Sequence, residues 1–308
     1  MSAFLAALVP VMLLVALGRF LGWRNVLSDD GWRAVERLAY VLLLPALIIR
    51  ALARAPFETA PWRLALILIG AQCLLGLVGL LARAWPGMTR PAVGSIIQSN
   101  VRWNTFVALS IGSALFGEEG LALVSIAAAA MIPTANILSV TALTAHAERE
   151  TGARRNPVAE LIRNPLIIAC AIGGALAALN LTIPPMIDDT LALLGQGTIA
   201  LGLLAAGAGM DVSALGRAGV RTVTWSLVRL LGMPALTIAG ALALGLTGTP
   251  FAVAVISAST STATSSYILA RQLGGDAPLA ANLIAMQTVL SIVTMPAIWF
   301  ACLSAGLF

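Results

Sequence analysis

Ser257–Ser266 reads SASTSTATSS, eight hydroxyl side chains in ten residues, inside an apolar stretch that runs from Phe251 to Gln272. In the first half of the chain another apolar stretch, Ala92 to Leu115, is interrupted by Gln98-Ser99-Asn100-Val101-Arg102-Trp103-Asn104-Thr105. Hydrocarbon tolerates irregular backbone and polar side chains only where they are buried in protein or line a cavity. Two polar interruptions at matching places in two halves therefore predict helices broken near the bilayer midplane, as at the translocation site of a secondary transporter.

The composition sets the same context. With 308 residues, 59% hydrophobic, 10% charged and a mean hydropathy of +0.96, the chain has more apolar surface than a soluble domain of this length can bury. A crossing takes about 20 apolar residues, and ten spans are expected. They are Ala3 to Gly22, Arg37 to Ala53, Leu64 to Arg83, Ala92 to Leu115, Gly120 to Ala145, Asn164 to Thr182, Thr190 to Met210, Thr222 to Thr247, Phe251 to Gln272 and Pro278 to Ser304. No soluble domain is left over. The first span lacks a basic segment before it and is followed by Arg19 and Arg24, so it is expected to remain rather than be cleaved as a signal peptide. Cys73, Cys170 and Cys302 fall in three different spans, which suggests neither disulfide nor metal, and no cofactor is expected.

The net charge of +5 comes from arginine, because the chain has no lysine. With alternating spans, Arg24, Arg33, Arg37, Arg83, Arg90, Arg149, Arg154, Arg155, Arg163, Arg217, Arg221 and Arg271 lie on one side, and Arg50, Arg54 and Arg63 on the other. This bias sets topology and does not point to nucleic acid. It predicts a multi-pass protein of the cell's inner (plasma) membrane, both termini extracytoplasmic and the connection 146–163 in the cytoplasm. Trp23, Trp32, Trp62, Trp85, Trp225 and Trp299 fall near span ends, where interfacial anchors belong.

Weak internal similarity orders the halves. Pro10-Val-Met-Leu-Leu-Val-Ala-Leu-Gly18 aligns with Pro165-Leu-Ile-Ile-Ala-Cys-Ala-Ile-Gly173, and prolines 91 and 250 precede the fourth and ninth spans. Five spans per half is an odd number, so the second half enters from the opposite side. The expected fold is thus an all-α integral membrane protein of ten transmembrane helices in two inverted five-helix repeats, 1–145 and 164–308, joined by the loop 146–163.

Arg102 lies at the middle of its span, where insertion costs about 2.5–3.5 kcal/mol, and such residues are as a rule partnered or functional. All thirteen acids fall in loops or at span ends. A guanidinium in a polar pocket suits a carboxylate, which it binds with two nitrogens. The N-termini of half-helices also favour anions. The expected substrate-binding residues are Asn100, Arg102, Asn104 and Thr105 from one interruption, with Ser259, Thr260, Ser261, Thr262 and Thr264 from the other. Taken singly, each hydroxyl is better read as helix packing, bonding back to the preceding turn. Asn136 in the fifth span and Gln287 and Ser291 in the tenth lie at comparable depth and are expected either to line the cavity or to bond between helices. Arg229, two turns into its span, ranks below Arg102, and the glycines of the seventh span, Gly195, Gly197, Gly202, Gly207 and Gly209, suit close packing.

No Asp, Glu or His occupies a span interior, so proton coupling through a side chain is not expected, while sodium held by Ser, Thr, Asn and backbone oxygens stays open. An enzyme is disfavoured by the absence of His-Glu-x-x-His and of paired intramembrane aspartates. A non-transporting membrane sensor remains an alternative.

Several stretches resemble the auxin efflux carrier family, including its bacterial malate- and malonate-permease-like members. These are Leu43-Leu44-Pro45-Ala46-Leu47, Arg102-Trp103-Asn104-Thr105 leading to Phe116-Gly117-Glu118-Glu119-Gly120, Ile132 through Val140, Asn164-Pro165-Leu166-Ile167-Ile168 and Leu203 through Ala208. The resemblance spans nearly the whole chain. It implies a scaffold and a transport bundle, crossed and interrupted fourth and ninth helices, a small organic acid anion as cargo, and alternating access. Pro45 joins the expected cavity lining, and a homodimer is the protein assembly to consider. Plant members place proline at the crossover, whereas this chain has none from Gln98 to Phe106 or from Ser257 to Ser266.

Overall fold

The computed structural model describes residues 2–54, 62–147, 164–216 and 218–307, and these contain helices and connections without a strand. Every expected span overlaps helix. Six helical stretches are long and apolar enough to cross a bilayer: Ala3–Trp23, Trp62–Ala84, Arg90–His146, Pro185–Ala208, Val220–Ala243 and Ala277–Ser304. The chain divides into two compact units, each drawing segments from both halves of the sequence. Most of the expected loop 146–163, with Arg149, Arg154, Arg155 and Arg163, lies outside the described residues, as does Arg217.

The first unit comprises Met1–Trp62, Thr105–Ala129 and Ile162–Gly209. Its helices are α1 (Ser2–Trp23), α2 (Asp29–Leu38), α3 (Leu44–Ala53), the start of α6 (Thr105–His146), α7 (Pro165–Ala178) and α8 (Pro185–Ala208). Between α2 and α3 the chain widens into a π turn, Ala39–Leu43. Pro45 comes two residues after its end and, with no N–H and a ring that crowds the preceding turn, fits a locally widened helix better than a regular one. Asn164 caps α7, its Oδ1 accepting from the Leu166 N–H at 2.9 Å, while its amide donates to the Tyr40 hydroxyl at 3.1 Å. The start of α6 ends at Gly117, whose φ of +58° and ψ of −136° break the helix before it resumes.

Glycine makes the α1–α8 seam. A Cβ on Gly18 would collide with the carbonyl oxygen of Leu204, and one on Gly207 with that of Val15. Gly22, one turn beyond Gly18, faces Ala208. Small residues four apart let helix backbones touch, the usual means of association where no hydrophobic effect operates between helices. The seventh-span glycines predicted for close packing therefore include at least one, Gly207, with no room for a methyl. Where α3 ends and α8 begins, Arg50 and Arg54 clasp Asp188 at 3.0 and 2.6 Å, so the acid near the start of α8 serves structure.

The second unit comprises Arg63–Asn104, Ala130–Leu161 and Met210–Phe308. Its helices are α4 (Trp62–Gly79, continued by a 3-10 turn Leu80–Ala84), α5 (Arg90–Val101), the end of α6, α9 (Ser213–Gly216), α10 (Val220–Ala243), α11 (Gly248–Ser259), α12 (Ser265–Gln272) and α13 (Ala277–Ser304). The long helices α10 and α13 carry the short ones: α5 and α11 pack on both, and α12 on α13. Ile96 and Ile97 of α5 meet Trp225 of α10 and Leu283 of α13 in one apolar cluster, and Leu143 of α6, Ala270 of α12 and Ala280 of α13 share another. Trp225 and Trp299, expected as interfacial anchors, are instead buried, because α10 and α13 turn those positions into the unit's core. Trp23 and Trp62 are exposed.

Replacing Gly18 with Val should destabilise the first unit by about 1–3 kcal/mol through overpacking against backbone that cannot move aside. Replacing Gly174, which has open space around it, with Ala should be nearly silent. Thermal unfolding of the two purified variants in one detergent checks the contrast.

Candidate translocation site

Both interruptions are real breaks and share a backbone geometry. After α5 the chain turns extended at Arg102 (φ −80°, ψ 154°), and after α11 it does the same at Thr260 (φ −67°, ψ 153°). Helix resumes at Thr105 and at Ser265. Each break leaves carbonyls at a helix C-terminus without intrahelical donors. In a bilayer each would cost about 1–3 kcal/mol if left unpaired.

Side chains from neighbouring helices supply the missing donors. Arg229 of α10, fully buried, donates Nη1 to the Ala258 carbonyl at 2.8 Å. Its Nε and Nη2 reach the Arg102 carbonyl at 3.4 and 3.3 Å. One guanidinium thus bonds carbonyls at the ends of both half-helices and places positive charge at the negative poles of two helix dipoles. Gln72 of α4 donates Nε2 to the Val101 carbonyl at 2.7 Å and to that of Met131 at 3.2 Å. Gln287 of α13 bridges the two breaks: its Oε1 accepts from the Thr262 N–H at 2.9 Å and its Nε2 donates to Ser99 Oγ at 2.7 Å. Gln98 donates Nε2 to the Ser266 carbonyl at 2.7 Å, and the Asn104 N–H donates to Thr260 Oγ1 at 3.3 Å. The two interruptions therefore meet within one unit, joined by direct hydrogen bonds.

The hydroxyl run divides by task. Ser259 and Thr260 bond back to the carbonyls of Val255 and Ser257, as the packing reading holds for single hydroxyls. Ser261 accepts from Thr288 at 3.4 Å, and Thr262 and Ser266 share a bond of 3.2 Å. Thr264 and Ser265 are half-buried at the start of α12. Arg102 is half-buried as well, and its Nη2 donates to Ser265 Oγ at 3.1 Å. A cationic side chain and a helix N-terminus converge there, and both favour negative charge.

Other expected site residues are placed differently. Asn100 turns to α4 and donates to the Leu75 carbonyl at 3.2 Å, which spends the amide proposed to orient a ligand. Ser291 donates to Thr288 of its own helix at 2.7 Å, and Asn136 is half-buried on α6. Thr105 and Pro45 are grouped with the first unit. Gln72, Ser99 and Ser265 were not foreseen; a glutamine alone in an apolar span was the available signal for the first. Arg229, which ranks below Arg102 by its depth along the span, is fully buried because neighbouring helices enclose that side of α10. Among the described residues, the buried side-chain amide oxygens of Gln72, Gln98 and Asn100 accept no hydrogen bond.

Arg229→Met should lose about 3 kcal/mol of stability, since three charge-assisted bonds to two carbonyls vanish and those carbonyls are left bare. Arg102→Gln should cost far less, the side chain being half-exposed. Urea or thermal unfolding in detergent ranks the two, and a reversed order would contradict the division of labour between them.

Comparison with known proteins agrees with this geometry. The profile of the family described as membrane transport protein matches residues 3–299, nearly the whole chain. No curated protein matches the chain. With its helices apolar enough to span a bilayer and its two broken helices joined at one polar crossing, the chain belongs to the membrane transport proteins of the auxin efflux carrier family.

Proposed function

We propose that this membrane transporter carries small organic acid anions, mono- or dicarboxylates, by alternating access at the crossing of the two interruptions. The observation that carries the reading is the Arg102 guanidinium beside Ser265, the first residue of α12. A carboxylate seated there would meet a guanidinium fork and a helix N-terminus. Arg229, buried and committed to backbone carbonyls, stays behind the site and holds it open.

In this reading ten spans form two inverted five-helix repeats, and α5–α6 and α11–α12 are equivalent broken spans. Their matching extended residues, Arg102 and Thr260, support it. So does the division into two units that each take segments from both halves, one a scaffold and the other a transport bundle. The termini lie outside the cytoplasm, with the arginine-rich connections within it. A monovalent anion leaving the cell would be driven by the membrane potential, worth about 2.3 kcal/mol per charge per 100 mV.

Counterflow in proteoliposomes tests the function: labelled malate or malonate should accumulate against preloaded unlabelled anion. Arg102→Ala should abolish it, and Arg102→Lys, which keeps charge but loses the planar fork, should weaken apparent affinity about tenfold or more. Stoichiometric binding without flux would make the protein a sensor. Unchanged affinity in both variants would remove Arg102 from the site.

A further inference from the structure

At the far end of α5 from the crossing, a cavity of about 380 Å³ is lined by Arg83, Met88, Arg90, Val93 and His146, all in the second unit. Its cationic side chains are anchored on the last turn of α6. Arg83 donates Nε and Nη2 to His146 Nε2 at 3.2 and 2.7 Å. For Nε2 to accept, the ring proton must sit on Nδ1, and Nδ1 lies 2.8 Å from the Ala142 carbonyl that would take it. Arg90 donates Nη2 to the Ala145 carbonyl at 3.0 Å. The two guanidinium groups are thus held on adjacent residues of one turn.

The opposite wall is fixed too. Arg221 of α10 donates to the carbonyls of Gly87 and Pro86 at 3.1 and 2.6 Å, pinning the connection before α5. Thr89 caps α5 by accepting from the Ala92 N–H at 3.3 Å, so the amino end of a twelve-residue helix opens beside the cavity. Among the described residues neither Arg83 nor Arg90 forms an ion pair, whereas Arg33, Arg50 and Arg54 all do. Two guanidinium groups on one cavity, with no acid among the described residues paired to either, concentrate positive charge there and have donors to spare.

We propose that Arg83 and Arg90, the former positioned by His146, form a binding site for a phosphate group, separate from the crossing and independent of its cargo. Planar guanidinium forks recognise phosphate oxygens, and the positive end of the α5 dipole at Arg90 favours the same charge. The group can arrive as the headgroup of an anionic phospholipid or as free phosphate, and the two arms of the test tell these apart.

The full chain, purified in detergent, is unfolded thermally with added phosphatidylglycerol or phosphatidylcholine, and separately with sodium phosphate or sodium chloride at equal ionic strength. Binding to the folded state raises the unfolding temperature. Phosphatidylglycerol should stabilise beyond phosphatidylcholine if the source is lipid, and sodium phosphate beyond chloride if a free phosphate suffices. The gain should vanish in the double variant Arg83→Gln with Arg90→Gln. It should persist in Arg24→Gln with Arg33→Gln, which removes the same charge from exposed positions elsewhere. If the first double variant does not fold, Arg83→Lys, which keeps the charge but loses the two-nitrogen contact with His146, should show a reduced gain. No phosphate-dependent gain in the wild type, an equal gain in the Arg83 and Arg90 variants, or loss in the Arg24 and Arg33 control would overturn the site.

Discussion

A helix broken within the hydrocarbon must return every freed backbone group to a partner, and in this protein the neighbouring helices return them. The carbonyls of Val101, Arg102 and Ala258 would each be costly if left bare. They are met by Gln72 and Arg229, while Gln287 takes the N–H of Thr262. All three side chains stand on long continuous helices. The packing of α10 and α13 against α5 and α11 is therefore what keeps the breaks at fixed positions, and the exposure of Arg102 and Ser265 follows from it.

The two arginines divide what a single intramembrane charge would otherwise have to do alone. Arg229 is enclosed and neutralises the carbonyl poles of two half-helices, a structural debt common to any such crossing. Arg102 contributes its own backbone carbonyl to that arrangement and leaves its side chain beside α12. No acid stands in the interior of an expected span, where it would draw either guanidinium away from these carbonyl and hydroxyl partners.

Much of this was legible in the sequence. Apolar runs of spanning length located the long helices among the described residues, though not the polar α2 or the single turn α9, and the density of hydroxyls in 257–266 gave away the second break even without proline. Arg102 stood out because ten apolar or weakly polar residues flank it on each side. What could not be read was direction. Asn100 and Asn104 look equivalent along the chain, yet one faces α4 and the other's backbone faces Thr260. Arg229 looked peripheral because sequence gives depth along one helix and says nothing of which helices surround it. The same blindness made Trp225 look interfacial. The contraction of the expected sixth span to Pro165–Ala178 and the π turn before Pro45 depend on local packing and proline geometry, which periodicity alone does not encode.

A break held by distant side chains has a history during synthesis. Arg229 and Gln287 belong to the second half of the chain, so α5 and the start of α6 leave the ribosome long before the donors for the Arg102 carbonyl and the Ser99 hydroxyl exist. Until then nothing covalent, such as a proline ring, enforces the bend, and the nascent segment can enter the lipid as one uninterrupted rod. The crossing is thus a late product of biogenesis, completed when α10 and α13 are inserted and fold back upon the first half.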